Sequence, residues 1–312
     1  MDDLRVVEVK PAGHAIRYDA WLYNSPEYLS ANNELPQLHF YLVHEVKHEL
    51  WAHIAFSREE SEVLSPYKAP FGGFELAEEL PSEAFLFFVS EVLRRLKVHH
   101  VRFVSLKMPP TFYQSGHDYL PADLEALGFR MKKEWVYHAL PVDESVLVQK
   151  MVSMEQRKLR KATKLGLKFK FATRQDYASL YEFIKKHREA KGHHLSVTWN
   201  DLREAIKVRP ESYLFCGVYQ DKRLLAACVL IRVNTRVVYY FQPAHDPEFN
   251  ALSPMVFLLD ALYAWCREQS IGYIDLGTSY LQSKPNESLI KFKEHVGGKA
   301  FVSQVFRKAL SL

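Results

Sequence analysis

Between Arg157 and Lys170 the chain carries seven cations and no acid: Arg157, Lys158, Arg160, Lys161, Lys164, Lys168 and Lys170. Such a run suits phosphate. On a helix, positions 157, 160, 161 and 164 share one face, so Arg157, Arg160, Lys161 and Lys164 form a cationic stripe. That stripe could meet the backbone of a tRNA, a nucleotide-linked molecule or an acidic lipid; it reads equally well as a solvated helix face. A second basic cluster, His187, Arg188, His193 and His194, closes another helical run without the carboxylate or thiol company that a metal needs. Cys216, Cys228 and Cys266 have no zinc-type spacing and sit in apolar settings, as buried small hydrophobes do in a reducing compartment. No G-x-S-x-G elbow, P-loop or dinucleotide fingerprint occurs, which removes the usual hydrolase, kinase and dehydrogenase readings.

These residues need elements to hold them. At 312 residues the length suggests about two domains of roughly 150 residues each, and a composition 48% hydrophobic and 25% charged excludes disorder and small disulfide scaffolds. The net charge of +4 is too small to argue for nucleic-acid binding alone. The acidic start of the chain argues against a secretory signal and no apolar run is long enough to span a bilayer, so a cytoplasmic protein is expected.

Strand-like alternation at 40–43 and 50–56 predicts a hairpin, followed by a Pro- and Gly-rich break at 65–75, a helix over 83–96 with Ser82 as its N-cap, and a strand at 101–106. The second half repeats that order. A helix at 175–191 leads into strands at 213–219, 224–233 and 237–242, a polar loop to Pro254, a helix at 255–269, a strand at 273–276, a helix at 287–295 and a last strand at 301–306.

The order of basic helix, antiparallel meander, loop and helix, followed by Tyr273-Ile274-Asp275-Leu276-Gly277 and by Phe292-Lys293 before Gly297-Gly298, is similar to the second half of the Fem-type peptidoglycan-bridge aminoacyltransferases. These are tandem GNAT-fold enzymes. The first half resembles a GNAT domain as well, through a strand, Pro109-Pro110, a short helix and Leu127-Gly128-Phe129. The resemblance implies an α/β (α+β) fold of two GNAT-like domains, each with a central mixed, largely antiparallel sheet flanked by helices. Their expected bounds are 1–145, 146–300 with the basic helix at its start, and a terminal strand at 301–312 returning to the first domain. The active site is expected in a cleft between the domains.

The chemistry implied is direct attack by a substrate amine on an activated acyl carbon, with no covalent enzyme intermediate. The donor would be aminoacyl-tRNA or acyl-CoA, neither held permanently, and the acceptor an amine of a cell-envelope or sugar-nucleotide precursor. Ordinary GNAT enzymes cradle pyrophosphate in a glycine-rich loop at a helix N-terminus. Here the corresponding segment, 242–254, has no glycine and contains Asp246 and Glu248, so acetyl-CoA binding of the usual kind is not expected in the second domain.

On this reading Lys293 holds donor phosphate or steadies the oxyanion of the tetrahedral intermediate; its alternative is a surface lysine beside Glu294. Asp275 orients or accepts a proton, with His245 and Asp246 as further bases; its alternative is a carboxylate capping loop N–H groups. Tyr240 is a proton donor or platform, with Tyr239 and Tyr280 as rivals. Arg157, Arg160, Lys161 and Lys164 bind the donor's phosphates. Tyr67, Phe71, Gly72 and Gly73 line the acceptor cleft, unless Phe71 and Phe74 simply pack that loop against the sheet. Two other functions remain open: an acyl-CoA-dependent N-acetyltransferase, and a catalytically degenerate GNAT-fold binding protein.

Overall fold

A computed structural model of the chain describes residues 3–32, 34–114, 116–193, 195–281 and 284–311. In chain order the strands and α-helices are β1 (Leu4–Val7), β2 (Ala15–Ile16), α1 (Pro26–Asn32), β3 (Gln37–His44), β4 (Glu49–Glu59), β5 (Glu62–Ser65), β6 (Phe74–Leu76), α2 (Ser82–Val98), β7 (Phe103–Lys107), α3 (Leu120–Ala126) and β8 (Arg130–Pro141). They continue as α4 (Leu147–Lys150), α5 (Ser153–Lys164), β9 (Lys168–Phe171), α6 (Tyr177–Glu189), α7 (Trp199–Val208), β10 (Tyr213–Gln220), β11 (Arg223–Arg232), β12 (Val237–His245), α8 (Pro254–Glu268), β13 (Tyr273–Thr278), β14 (Tyr280–Leu281), β15 (Lys284–Pro285), α9 (Glu287–His295) and β16 (Lys299–Ala309). The chain forms two compact units, Met1–Trp135 with Val302–Leu312, and Val136–Phe301. The division falls inside β8, earlier than residue 145, because one long strand carries the chain from the first unit into the second.

In the first unit β1, β3, β4 and β5 form an antiparallel meander. After α2, β7 returns parallel to β5, and β16 pairs antiparallel with β7 from Val305↔Lys107 to Ala309↔Phe103. Alternation along the strands sends Phe40, Leu42, Ala52 and Ile54 into a core with Phe85, Phe88, Val92 and Leu96 of α2, whose spacing makes one apolar helix face. Pro81, not Ser82, occupies the N-cap of α2; the Ser82 hydroxyl instead donates to Asp123 at 2.7 Å.

The second unit repeats the scheme. Strands β9, β10, β11 and β12 form an antiparallel meander, α8 follows, β13 returns parallel to β12, and β8 lies antiparallel beside β13. One face of this sheet, with Cys216, Leu230 and Tyr240, shares a core with Leu159 of α5 and Leu259 and Leu262 of α8. Side chains one position away point to the opposite face, where Phe215 stacks on Tyr177 of α6 with centroids 4.3 Å apart. Among the elements that escape the sequence pattern are α7, and β9, whose Lys-Phe-Lys-Phe alternation is hidden inside the basic run.

Candidate active site

The β12–β13 ladder runs from Val237↔Tyr273 to Tyr239↔Asp275 and then stops. Beyond that point β12 stays with β11, past a register shift between Ala227 and Val229, while β13 shifts its register on β8 between Asp275 and Thr278. A cavity of about 660 Å³ opens where the two strands part, lined by Tyr239–His245 on one side and Leu276–Thr278 on the other. All its lining residues belong to the second unit, so this cavity is built within one unit and not in the interdomain cleft expected from the sequence.

Its charge is one-sided. Lys158, Arg188, Lys191 and Lys293 line it together with His187, His193 and His245, and no Asp or Glu does among the described residues. Arg188 donates from Nη1 to the Pro243 carbonyl at 3.3 Å, while its buried Nε has no partner among the described residues; burial lowers its pKa. Lys191 is lowered by burial and then by Arg188, and His193 by burial, Arg188 and Lys191. The acids whose charge reaches His187, Asp246 and Glu248, are engaged by Arg223 at 3.5 and 3.0 Å. Buried charge without a counter-ion is costly, so this wall is built for an anionic ligand.

Lys293 reaches the cavity from α9 and is 5% exposed, which removes the surface-lysine alternative. Its Nζ donates to the carbonyls of Gly277 at 2.8 Å and Thr278 at 3.0 Å. An ammonium has three donors, so one is left for a ligand oxygen. Burial pulls its pKa down to about 7, opposed by the charge of Asp275. Gly277, at φ +69°, makes this seat possible: a Cβ there would lie 3.2 Å from the Tyr239 ring and hydroxyl.

Asp275 is buried, and its Oδ1 accepts the Gly277 N–H at 2.7 Å. It is absent from the cavity lining, so it acts on the cavity through the Gly277 turn and through its charge on Lys293, not as a group facing the cleft. Tyr240 and Tyr239 both reach the cavity wall. Burial raises the pKa of each; Cys228 and Cys216 add to it for Tyr240, and Asp275 and Tyr137 for Tyr239. The Tyr240 hydroxyl has no partner among the described residues.

The other assignments shift. Arg157, Arg160, Lys161 and Lys164 lie exposed on α5 and none lines the cavity. The member of that run which does is Lys158, on the flank of the helix and paired at 2.7 Å with the buried Glu155; the spacing of the run alone gave equal weight to its neighbours. Tyr67, Phe71, Gly72 and Gly73 form a packed turn of the first unit instead of a cleft wall. Phe71 is 1% exposed against Trp21, Tyr23 and Tyr113, the Gly73 N–H donates to Ser65 Oγ at 3.0 Å, and Lys68 sits over the half-buried Tyr67 ring. His194 lies outside the described residues. Sequence reading missed Gln242, a buried cavity-wall residue at φ +50° whose amide has no partner among the described residues; its positive φ leaves no trace in residue type.

A meander, a helix and a parallel strand that parts from its neighbour to open a ligand cavity define a GNAT-type fold, and residues 149–285 match the model of the acetyltransferase (GNAT) domain family. The chain has a GNAT-type fold. It is similar to the crystal structure of FemX, with a TM-score of 0.74 at 14% identity over 94% of this chain and 93% of that one. It also resembles the C-terminal domain of a lysylphosphatidylglycerol synthetase, so far a tentative name, from Agrobacterium fabrum, at TM-score 0.53 and 12% identity over 82% and 80% of the two chains. A tandem GNAT protein from the clavulanic acid biosynthesis pathway matches at TM-score 0.50 and 10% identity over 89% and 84%. No curated protein matches the chain by sequence. No helix among the described residues is long and apolar enough to cross a membrane.

Proposed function

We propose that the chain is an N-acyltransferase that takes an aminoacyl group from aminoacyl-tRNA and passes it to an amine of a cell-envelope or sugar-nucleotide precursor. The observation that carries this reading is the acid-free cationic cavity at the parting of β12 and β13, with Lys293 buried at its wall. The similarity to FemX and to the synthetase domain supports an aminoacyl donor.

The neutral acceptor amine attacks the ester carbonyl carbon; the C–N bond forms and the carbonyl π pair moves to oxygen. The Lys293 ammonium, with its remaining donor, steadies that oxyanion. Collapse breaks the C–O bond to the terminal ribose, and the proton lost from nitrogen ends on the departing oxygen. Asp275 and the Gly277 turn hold the lysine in place.

Acyl-CoA is the second reading, favoured by the match of residues 149–285 to the acetyltransferase domain. The test is to offer labelled aminoacyl-tRNA and acetyl-CoA separately with amine-bearing precursors and to identify the amide product by mass spectrometry. A product from aminoacyl-tRNA alone is expected. A product from acetyl-CoA alone would replace this reading with the second, and no product with retained ligand binding would favour a binding protein.

A further inference from the structure

The exposed cations of α5 take no part in the cavity, which leaves the strongest charge asymmetry of the chain without a role. At about 100° per residue, the buried Glu155, Leu159 and Ala162 set the inner face of α5, and Arg157, Arg160, Lys161 and Lys164 fall on the outer half. The ion pair that α5 makes among the described residues is Lys158–Glu155, and it uses none of these four.

Apolar surface borders the stripe on both edges. Along one edge runs a groove of about 500 Å³ between α4, α5 and α8, floored by Val146, Leu147, Val148 and Leu159 and rimmed by Arg160, Lys164 and Arg267. Asp260 also lines it, and burial raises the pKa of that carboxyl. Around the helix Val146, Val152, Met154 and Leu165 are 40–44% exposed.

Cations alone would fit any polyanion. Nucleic-acid surfaces pair their cations with aromatic or polar groups that stack on or read bases, whereas the exposed apolar groups around α5 are Val, Met and Leu, and the Tyr263 of the groove is buried. A bilayer interface uses both kinds: its phosphates meet the cations, and its acyl boundary takes the aliphatic side chains and a groove shaped for a chain. We propose that α5 and the groove beside it dock this protein onto the surface of a membrane containing anionic phospholipid. The docking is independent of the donor bound in the cavity.

The test is co-sedimentation of the full-length protein with phosphatidylcholine vesicles, with and without phosphatidylglycerol, at low and high salt. Binding should require phosphatidylglycerol and weaken as salt rises. Each cation removed from the stripe should weaken it about fivefold, so the pairs R160E/K164E and R157E/K161E should each release the protein while leaving its melting temperature and its soluble-substrate turnover unchanged. Met154→Ser should weaken binding without altering its salt dependence. Binding that ignores phosphatidylglycerol, or that survives both charge-reversal pairs, would overturn the proposal. So would displacement from the vesicles by RNA at lower concentration than the lipid, which would make the stripe a nucleic-acid surface.

Discussion

Two buried polar clusters, one in each unit, are built on opposite principles. In the first unit Tyr41, His53 and Glu75 lie side by side across β3, β4 and β6, on the sheet face away from α2. Glu75 accepts the Trp21 N–H and lies in hydrogen-bonding contact with His53 Nδ1, and His53 Nε2 lies 3.1 Å from His39 Nδ1. Every side-chain nitrogen and oxygen of His53 and Glu75 is thereby matched inside the protein. In the second unit Arg188 Nε, the Tyr240 hydroxyl and the Gln242 amide are buried without partners among the described residues, and like charges face one another around an open cavity. A polar cluster that closes on itself fixes structure; one left short of counter-ions keeps its interactions for a ligand.

The comparison breaks most visibly at Glu75. Glu75→Ala leaves His53 and the Trp21 N–H buried without their acceptor, so urea unfolding should show a loss of about 3–5 kcal/mol, with Glu75→Gln milder because one acceptor survives. Lys293→Met should behave in the opposite way. It removes a charge that was costly to bury, so stability should hold or rise, while turnover falls about 10²–10³-fold through loss of the oxyanion donor. If Lys293→Met unfolds the second unit, its cavity is a structural cluster like the first.

Titration separates the two clusters further. Burial and then His53 push the His39 pKa down to about 4 from 6.5. The unfolded chain then binds more protons between these values, so the contribution of His39 to stability is lost as pH falls through that window; a His39→Gln variant should show a shallower acid slope. Lys293 is pulled down to about 7 from 10.5, so the unfolded chain again binds more protons between, and stability should rise with pH above about 7. Subtracting the Lys293→Met curve isolates that rise. Turnover should fall over the same range as the ammonium is lost, and a pH-rate profile flat above 7 would remove Lys293 from the reaction.

The sequence carried the architecture further than the site. Helix α9 was legible residue for residue because Asn286 caps it and glycines end it, and the repeated meander, helix and strand followed from apolar periodicity. Lys293 was legible through its motif. Its burial was not, because that depends on Gly277 and Thr278 turning their carbonyls toward it from another element. The α5 stripe misled for a related reason: composition counts cations, whereas the radial position that admits Lys158 to the cavity and excludes Arg157 is set by which residues of α5 are buried. The loop at 65–73 suggested a cleft by its glycines, yet Gly72 is there because a Cβ would meet the Ser65–Pro66 backbone at 2.8 Å, a packing demand that sequence cannot tell from a functional one.

The smallest effect separates backbone from contact. Gly13 and Gly277 both have left-handed backbone, at φ +76° and +69°, so Ala at either position pays about 1 kcal/mol of conformational strain. Among the described residues nothing lies within 4 Å of a Cβ at Gly13, whereas at Gly277 the Tyr239 ring and hydroxyl lie at 3.2 Å. Gly13→Ala should therefore report the backbone term alone. Gly277→Ala should cost slightly more and lower turnover several-fold, because moving Tyr239 or the turn shifts the carbonyl that holds Lys293. Equal stability losses with unchanged turnover would mean that the turn tolerates the methyl group, and that the seat of Lys293 does not depend on its close approach to Tyr239.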